Sequence, residues 1–233
     1  MAPHRHREVS RIEGFSDAVF GFAITLLVVS LEVPKTYHEL MVVIRGFPAF
    51  AVCFALLFQV WWRHYRFFRS YGLEDGYTIG MTGLLLFVVL FFVYPLKFIW
   101  SLPFAGIQGT SITDAIITQD QIPVVFEIYG AGVVAAFGTL TAMYGHAYRV
   151  RAALGLTPLE LIDTRVQIYR NLGFVAIGLI SIVVAALAAT FAPMQVGYAG
   201  LVYFAIGLVE WGLGEYHGRA RKKLASTAGT SPA

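Results

Sequence analysis

Apolar runs of roughly twenty residues recur along the chain, and a helix of about that length crosses the hydrocarbon core of a bilayer. Six such runs stand out, at 15–33, 46–66, 78–99, 122–147, 168–191 and 195–216. The third, TIGMTGLLLFVVLFFVYPLKFI, is the most apolar. The fourth and sixth are rich in glycine and alanine, which let helix backbones approach closely in a membrane. No strand-like alternation outlasts these runs. The pattern therefore predicts an all-α membrane protein of six transmembrane helices. A short segment, 1–14, precedes the spanning unit 15–218, and 219–233 follows as a basic tail that reads as disordered. The longest polar connection, 101–121, has room for a short helix.

Composition agrees with the pattern. Of the 233 residues, 58% are hydrophobic and only 13% charged, against about a quarter charged in soluble domains. That excludes a disordered chain and an ordinary cytosolic enzyme. The net charge of +3 raises nucleic acid as a partner, but the placement of the charges argues for a bilayer instead. Arg5, Arg7, Arg11, Arg63, Arg66, Arg69, Arg149, Arg151, Arg165, Arg170, Arg219, Arg221, Lys222 and Lys223 fall on one side of an alternating six-span topology, while Lys35, Arg45 and Lys97 fall on the other. Such a bias places both termini in the cytoplasm and sets the basic face against anionic lipid. The single cysteine, Cys53, lies within an apolar run, so a disulfide scaffold and a cysteine metal site are both excluded. The N-terminal basic stretch and apolar run lack an A-x-A cleavage site and read as a retained helix, not a signal peptide.

The sharpest local feature opens the first span: Arg11, then Phe15-Ser16-Asp17. Ser16 and Asp17 suit a helix start, because their oxygens accept unpaired backbone N–H groups and negative charge favours that end. The topology also brings Trp61, Trp62 and His64 to the same depth, where an indole N–H, an imidazole and a carboxylate can form one network. Phe15, Phe22 and Val29 recur at seven-residue spacing, and 18, 22, 25/26 and 29 share one helical stripe. Thr25 lies near the middle of that span; the plain reading is a hydroxyl bonded back to the Gly21 carbonyl.

Other intramembrane charges read as structural. Glu127 lies at a helix start, Lys97 snorkels, and Glu210 is placed to pair with a basic residue of another helix. The string Val196-Gly197-Tyr198-Ala199-Gly200 looks like part of a potassium filter, but lacks the pore helix and re-entrant loop that such a filter needs. No nucleotide-binding loop, HExxH or GxSxG is present, so the chain is not expected to be an enzyme and no metal or cofactor is expected.

RxxxFSD at the start of the first span, then AxTLL, then Pro34, resembles the transmembrane protein 175 family, potassium channels of endolysosomes and of bacteria. Arg11, Phe15, Ser16 and Asp17 match the motif, and Trp62 and His64 resemble the Trp/His element of the family's second span. The resemblance implies a homotetramer of single six-span repeats in a bacterial plasma membrane, with helix 1 lining a central pore and potassium as the permeant ion. It implies a hydrophobic constriction at Phe22, Leu26 and Val29, selectivity assisted by Thr25, and a helix-locking set of Arg11, Phe15, Ser16, Asp17, Trp62 and His64. Branched aliphatic residues are usual at the first constriction position, so Phe22 departs from the pattern. A proton leak accompanies such a pore if it wets. The rival reading is a proton-coupled secondary transporter using Asp17, Glu127 or Glu210; against it, helix 1 has no midspan proline and the two halves do not look alike.

Overall fold

The computed structural model describes residues 9–29, 34–101, 104, 121–191 and 198–229, with the side chains of 29, 198–199 and 220–229 excepted. The described residues are helical throughout apart from turns. In chain order the helices are α1 (Arg11–Val29), α2 (Tyr37–Arg45), α3 (Phe47–Tyr71), α4 (Gly76–Ser101), α5 (Ile122–Arg149), α6 (Pro158–Phe191), α7 (Tyr198–Leu201) and α8 (Ala205–Gly229). A short 3₁₀ turn, Val202–Phe204, joins the last two.

Among the described residues, α4, α5 and α6 are each long and apolar enough to cross a membrane. A fourth crossing results if α2 and α3, bent by 43° about Gly46, count as one broken span. The expected first span continues to residue 33, beyond the described part of α1, and the helix begins earlier than expected, at Arg11. Its start is set by Ser10, whose hydroxyl accepts the Glu13 backbone N–H at 3.2 Å, as a helix cap does. The expected fifth span began at 168, yet α6 starts ten residues earlier at Pro158. There the first-position proline and the Thr157–Glu160 pair define a helix start: Thr157 Oγ1 accepts the Glu160 N–H, and Glu160 accepts the Thr157 N–H. At the other end, α8 runs to Gly229, well into the segment read as a disordered tail. The tail's arginine, lysine, leucine and alanine are good helix formers and extend the preceding helix. The connection 101–121 and the VGYAG string through residue 197 lie outside the described residues, apart from Ser101, Phe104 and Gln121.

α2 was not expected. Its signal is a capping box: Thr36 Oγ1 accepts the Glu39 N–H at 3.2 Å, while Glu39 accepts the Lys35 N–H at 2.7 Å. The bond from the Lys35 N–H holds the Glu39 carboxyl below its usual range. α3 ends at Gly72, whose φ of +56° is the left-handed conformation that glycine adopts without strain.

The core is built where α4, α5 and α6 meet α3. Phe67, Leu85, Leu140, Met143 and Phe174 are essentially buried. The backbones of α5 and α6 come into contact at Gly130 and Gly178. A Cβ on Gly130 would lie 2.9 Å from the Gly178 carbonyl oxygen and 2.6 Å from Ile182 Cγ1. A Cβ on Gly132 would instead meet the ring of Phe92, a side chain that borders an apolar cavity of about 50 Å³. Gly130→Ala should therefore cost more than Gly132→Ala, about 2–3 against about 1 kcal/mol, because a backbone carbonyl yields less readily than a ring beside a void. Thermal melts of both variants in detergent measure the order.

Candidate functional site

One end of the bundle gathers the N-terminus of α1, the C-termini of α3 and α5 and the N-terminus of α6. Cross-helix bonds hold it together. Trp61 Nε1 donates to Asp17 Oδ1 at 2.7 Å, joining α3 to α1. Tyr71 and Thr164 share a buried hydroxyl–hydroxyl bond of 2.7 Å. His146 and Asp75 lie 2.6 Å apart, as do His217 and Asp163. Partial burial pushes the Asp75 carboxyl up, but hydrogen bonds from His146 and from the Thr78 N–H outweigh this and hold it below the usual carboxylate range.

That depression has a measurable consequence. The stabilisation from Asp75 is fully present above the ordinary carboxylate value of about 3.8 and is lost as pH falls through the lower folded value. The melting-temperature gap between the protein and Asp75→Asn should thus shrink as pH falls below about 4.

The RxxxFSD residues divide between two faces of α1. Ser16 is fully buried and donates to the Ile12 carbonyl at 2.6 Å. Arg11, Phe15 and Asp17 are exposed. The indole that reaches Asp17 belongs to Trp61; Trp62, one residue on, is 45% exposed and stacks on Tyr65. His64 is buried between Phe20 and Phe68, and neither ring nitrogen has a hydrogen-bond partner among the described residues. The single shared network of carboxylate, indole and imidazole is therefore not formed in this structure. Asp17 takes an indole, and His64 packs as an aromatic ring.

Farther along α1, Phe20, Ala23 and Leu27 face the core. Phe15, Ala18, Gly21, Phe22 and Thr25 form the opposite, exposed face, and Leu26 sits half-buried at its edge. Thr25 Oγ1 donates to the Phe22 carbonyl at 2.7 Å, one residue nearer than the Gly21 carbonyl expected from the sequence. The Val29 side chain lies outside the described residues. Gly14 and Gly21 look onto open space, where an added Cβ would meet nothing within 4 Å.

The strongest polar cluster was only half anticipated. Glu210 does pair with basic residues of other helices: Arg63 Nη2 at 2.7 Å and Arg170 Nε at 2.9 Å. The charge bias along the sequence places Arg63 among the flanking cytoplasmic charges, yet its side chain is only 7% exposed. Its guanidinium lies over Phe174 and Phe137 and donates to Asn171 Oδ1 at 3.0 Å. Tyr144 donates to the Arg63 carbonyl at 3.0 Å. The signal was available in the helical register, since Arg63 shares the buried stripe of Val60 and Phe67. Among the described residues, no group of His, Cys, Asp and Glu is placed to hold a metal ion.

These features define an integral membrane protein: apolar helices whose exposed faces suit lipid, tied together by buried ion pairs and hydrogen bonds. The comparisons make the class specific. Residues 11–93 match the family described as "Endosomal/lysosomal potassium channel TMEM175". A potassium channel of Marivirga tractuosa is 39% identical over 187 residues, covering 77% of this chain and 76% of that protein. A potassium channel of Chamaesiphon minutus is 35% identical over a shorter stretch, 38% of this chain and 47% of that one. Among solved structures, a variant of the potassium channel MtTMEM175, in complex with a nanobody–MBP fusion, superposes with a TM-score of 0.81 at 33% identity, covering 93% of this chain and 97% of that chain. A Chamaesiphon minutus homologue of the lysosomal potassium-selective channel TMEM175 superposes with a TM-score of 0.52 at 24% identity, covering 84% of this chain and 98% of that chain, which speaks to the fold alone. The chain belongs to the TMEM175 family. Family and relatives are potassium channels, and the chain is accordingly not an enzyme.

Proposed function

We propose that the protein is a potassium-favouring cation channel, a homotetramer of six-span subunits with cytoplasmic termini, in a bacterial plasma membrane, whose pore is lined by α1. The observation that carries the proposal is the outward face of α1. Phe15, Phe22 and Thr25 project from the subunit on one side of a helix whose other side is core. This face carries the exposed Asp17 and Thr25 beside Phe15 and Phe22, whereas α4 presents Leu84, Phe87, Phe91 and Tyr94 outward. Small residues permit close approach of a second copy.

In this reading Phe22, Leu26 and Val29 form the constriction. A narrow apolar ring forces partial dehydration and closes by dewetting. Potassium holds its water less tightly than sodium and crosses at lower cost. Thr25 assists: its proton is engaged by the Phe22 carbonyl, which leaves the oxygen lone pairs free to meet a cation. Asp17 and His64 hold the helix start, through the Trp61–Asp17 bond and the packing of His64 on Phe20, while Ser16 bonds back to the Ile12 carbonyl; Arg11, Phe15 and Trp62 stand outside that contact. Protons follow any transient water file.

The transporter reading loses one of its carriers here, because Glu210 is held between two arginines. Potassium and sodium flux into liposomes at matched pH distinguishes the two. Passive, unsaturated flux that favours potassium supports the channel; flux that saturates and requires a pH gradient overturns it.

A further inference from the structure

The end of the bundle that carries Trp61 and Asp17 also carries an arginine fork resting on a neutral oxygen. Both Nε and Nη2 of Arg165, on α6, donate to the phenol oxygen of Tyr148, on α5. Arg165 also lies over the Tyr148 ring at 5.2 Å. Arg151 covers that ring at 4.7 Å and donates to the Tyr148 carbonyl at 3.0 Å. Two cations thus share one phenol. The paired donors of a guanidinium match two oxygens of a carboxylate or phosphate, and a single phenol oxygen is a poor substitute.

The carboxylates of α6 and α8 at this end are engaged elsewhere. Glu160 closes the start of α6, Asp163 meets His217, and Glu215 meets Arg219. Arg151 and Arg165 are solvent-exposed, so a ligand reaches them without rearrangement. Tyr169 and Tyr216, both about half exposed, lie near Arg165. Tyrosines grouped around arginines at a helix end are what the headgroup layer of a bilayer selects.

We propose that Arg151, Arg165 and Tyr148 form a binding site for the phosphate of an anionic phospholipid headgroup in the leaflet that meets this end of the bundle. The phosphate takes the Nε/Nη2 fork of Arg165, Arg151 adds the second charge, and Tyr148 is released to donate to a phosphate oxygen. The inference rests on the membrane reading alone and not on ion conduction.

The test is native mass spectrometry of the full-length protein in detergent, titrated with phosphatidylglycerol or phosphatidylcholine, for the wild type, Arg165→Gln, Arg151→Gln and Arg45→Gln. Each arginine near an anionic surface contributes about a fivefold change in binding. Phosphatidylglycerol adducts should fall about fivefold in Arg165→Gln and Arg151→Gln and stay unchanged in Arg45→Gln, which lies at the opposite end. Phosphatidylcholine adducts should be weak in all four. Matching size-exclusion profiles and melts confirm the fold of each variant. Arg165→Lys, which keeps the charge and loses the fork, should bind between the wild type and the glutamine variant. Equal phosphatidylglycerol binding in all four proteins overturns the site. Displacement of the lipid by millimolar inorganic phosphate with equal affinity assigns it to free phosphate and overturns the lipid proposal.

Discussion

Phe22→Ala should raise the unitary potassium current roughly three- to tenfold and weaken the preference for potassium over sodium. A hydrophobic constriction controls current by excluding water, so widening it removes both the barrier and the dehydration that discriminates between ions. Phe22 is 57% exposed in the subunit and contributes little to its core. Its removal should therefore leave assembly and melting temperature nearly unchanged. Phe22→Leu restores the branched aliphatic side chain usual in the family and should give an intermediate current. Planar-bilayer recordings of the three proteins measure the series. A current independent of residue 22 would move the constriction off this helix.

The second large effect concerns stability. Glu210→Leu leaves Arg63 and Arg170 facing each other without an anion. Breaking a buried ion pair by removing one partner costs about 3–5 kcal/mol, because the remaining charge stays desolvated. The loss is concentrated on Arg63, held between α5 and α6 against Phe137 and Phe174 with little room to reach water. Glu210→Gln keeps an acceptor oxygen and should cost less. Arg63→Leu together with Glu210→Leu should recover part of the loss, since the pair is then replaced by apolar contact. Thermal unfolding in detergent measures all three; an unchanged midpoint in Glu210→Leu would mean that water already solvates the cluster.

α4, α5 and α6 were legible because each is a long apolar run that satisfies its own backbone, and hydropathy alone detects such a helix. α1 was legible by its motif and its stripe. The exposed face of the subunit is the stripe read from Phe15, Ala18, Phe22 and Thr25, because a helix with one buried side leaves a fixed arc outside. What the sequence hid depended on orientation about the helix axis. Trp61 and Trp62 are adjacent, and only the rotation of α3 decides which indole meets Asp17. Counting Arg63 by membrane side concealed that it points inward. The bend at Gly46 was missed because the apolar run 40–44 is too short to stand out beside the polar 35–39, although Thr36 and Glu39 mark a helix start. His64 shows the limit of composition: the same imidazole suits a polar network or an aromatic pocket, and packing decides between them.

The central claim is that ions pass along the outward face of α1. Single-channel recording of purified protein in a planar bilayer, with potassium on one side and sodium on the other, tests it most directly when the wild type is compared with Thr25→Ala. The account predicts discrete current steps, a reversal potential favouring potassium in the wild type, and a shift of that potential toward zero in Thr25→Ala. Folded, tetrameric protein whose reversal potential is the same with and without the Thr25 hydroxyl would contradict it.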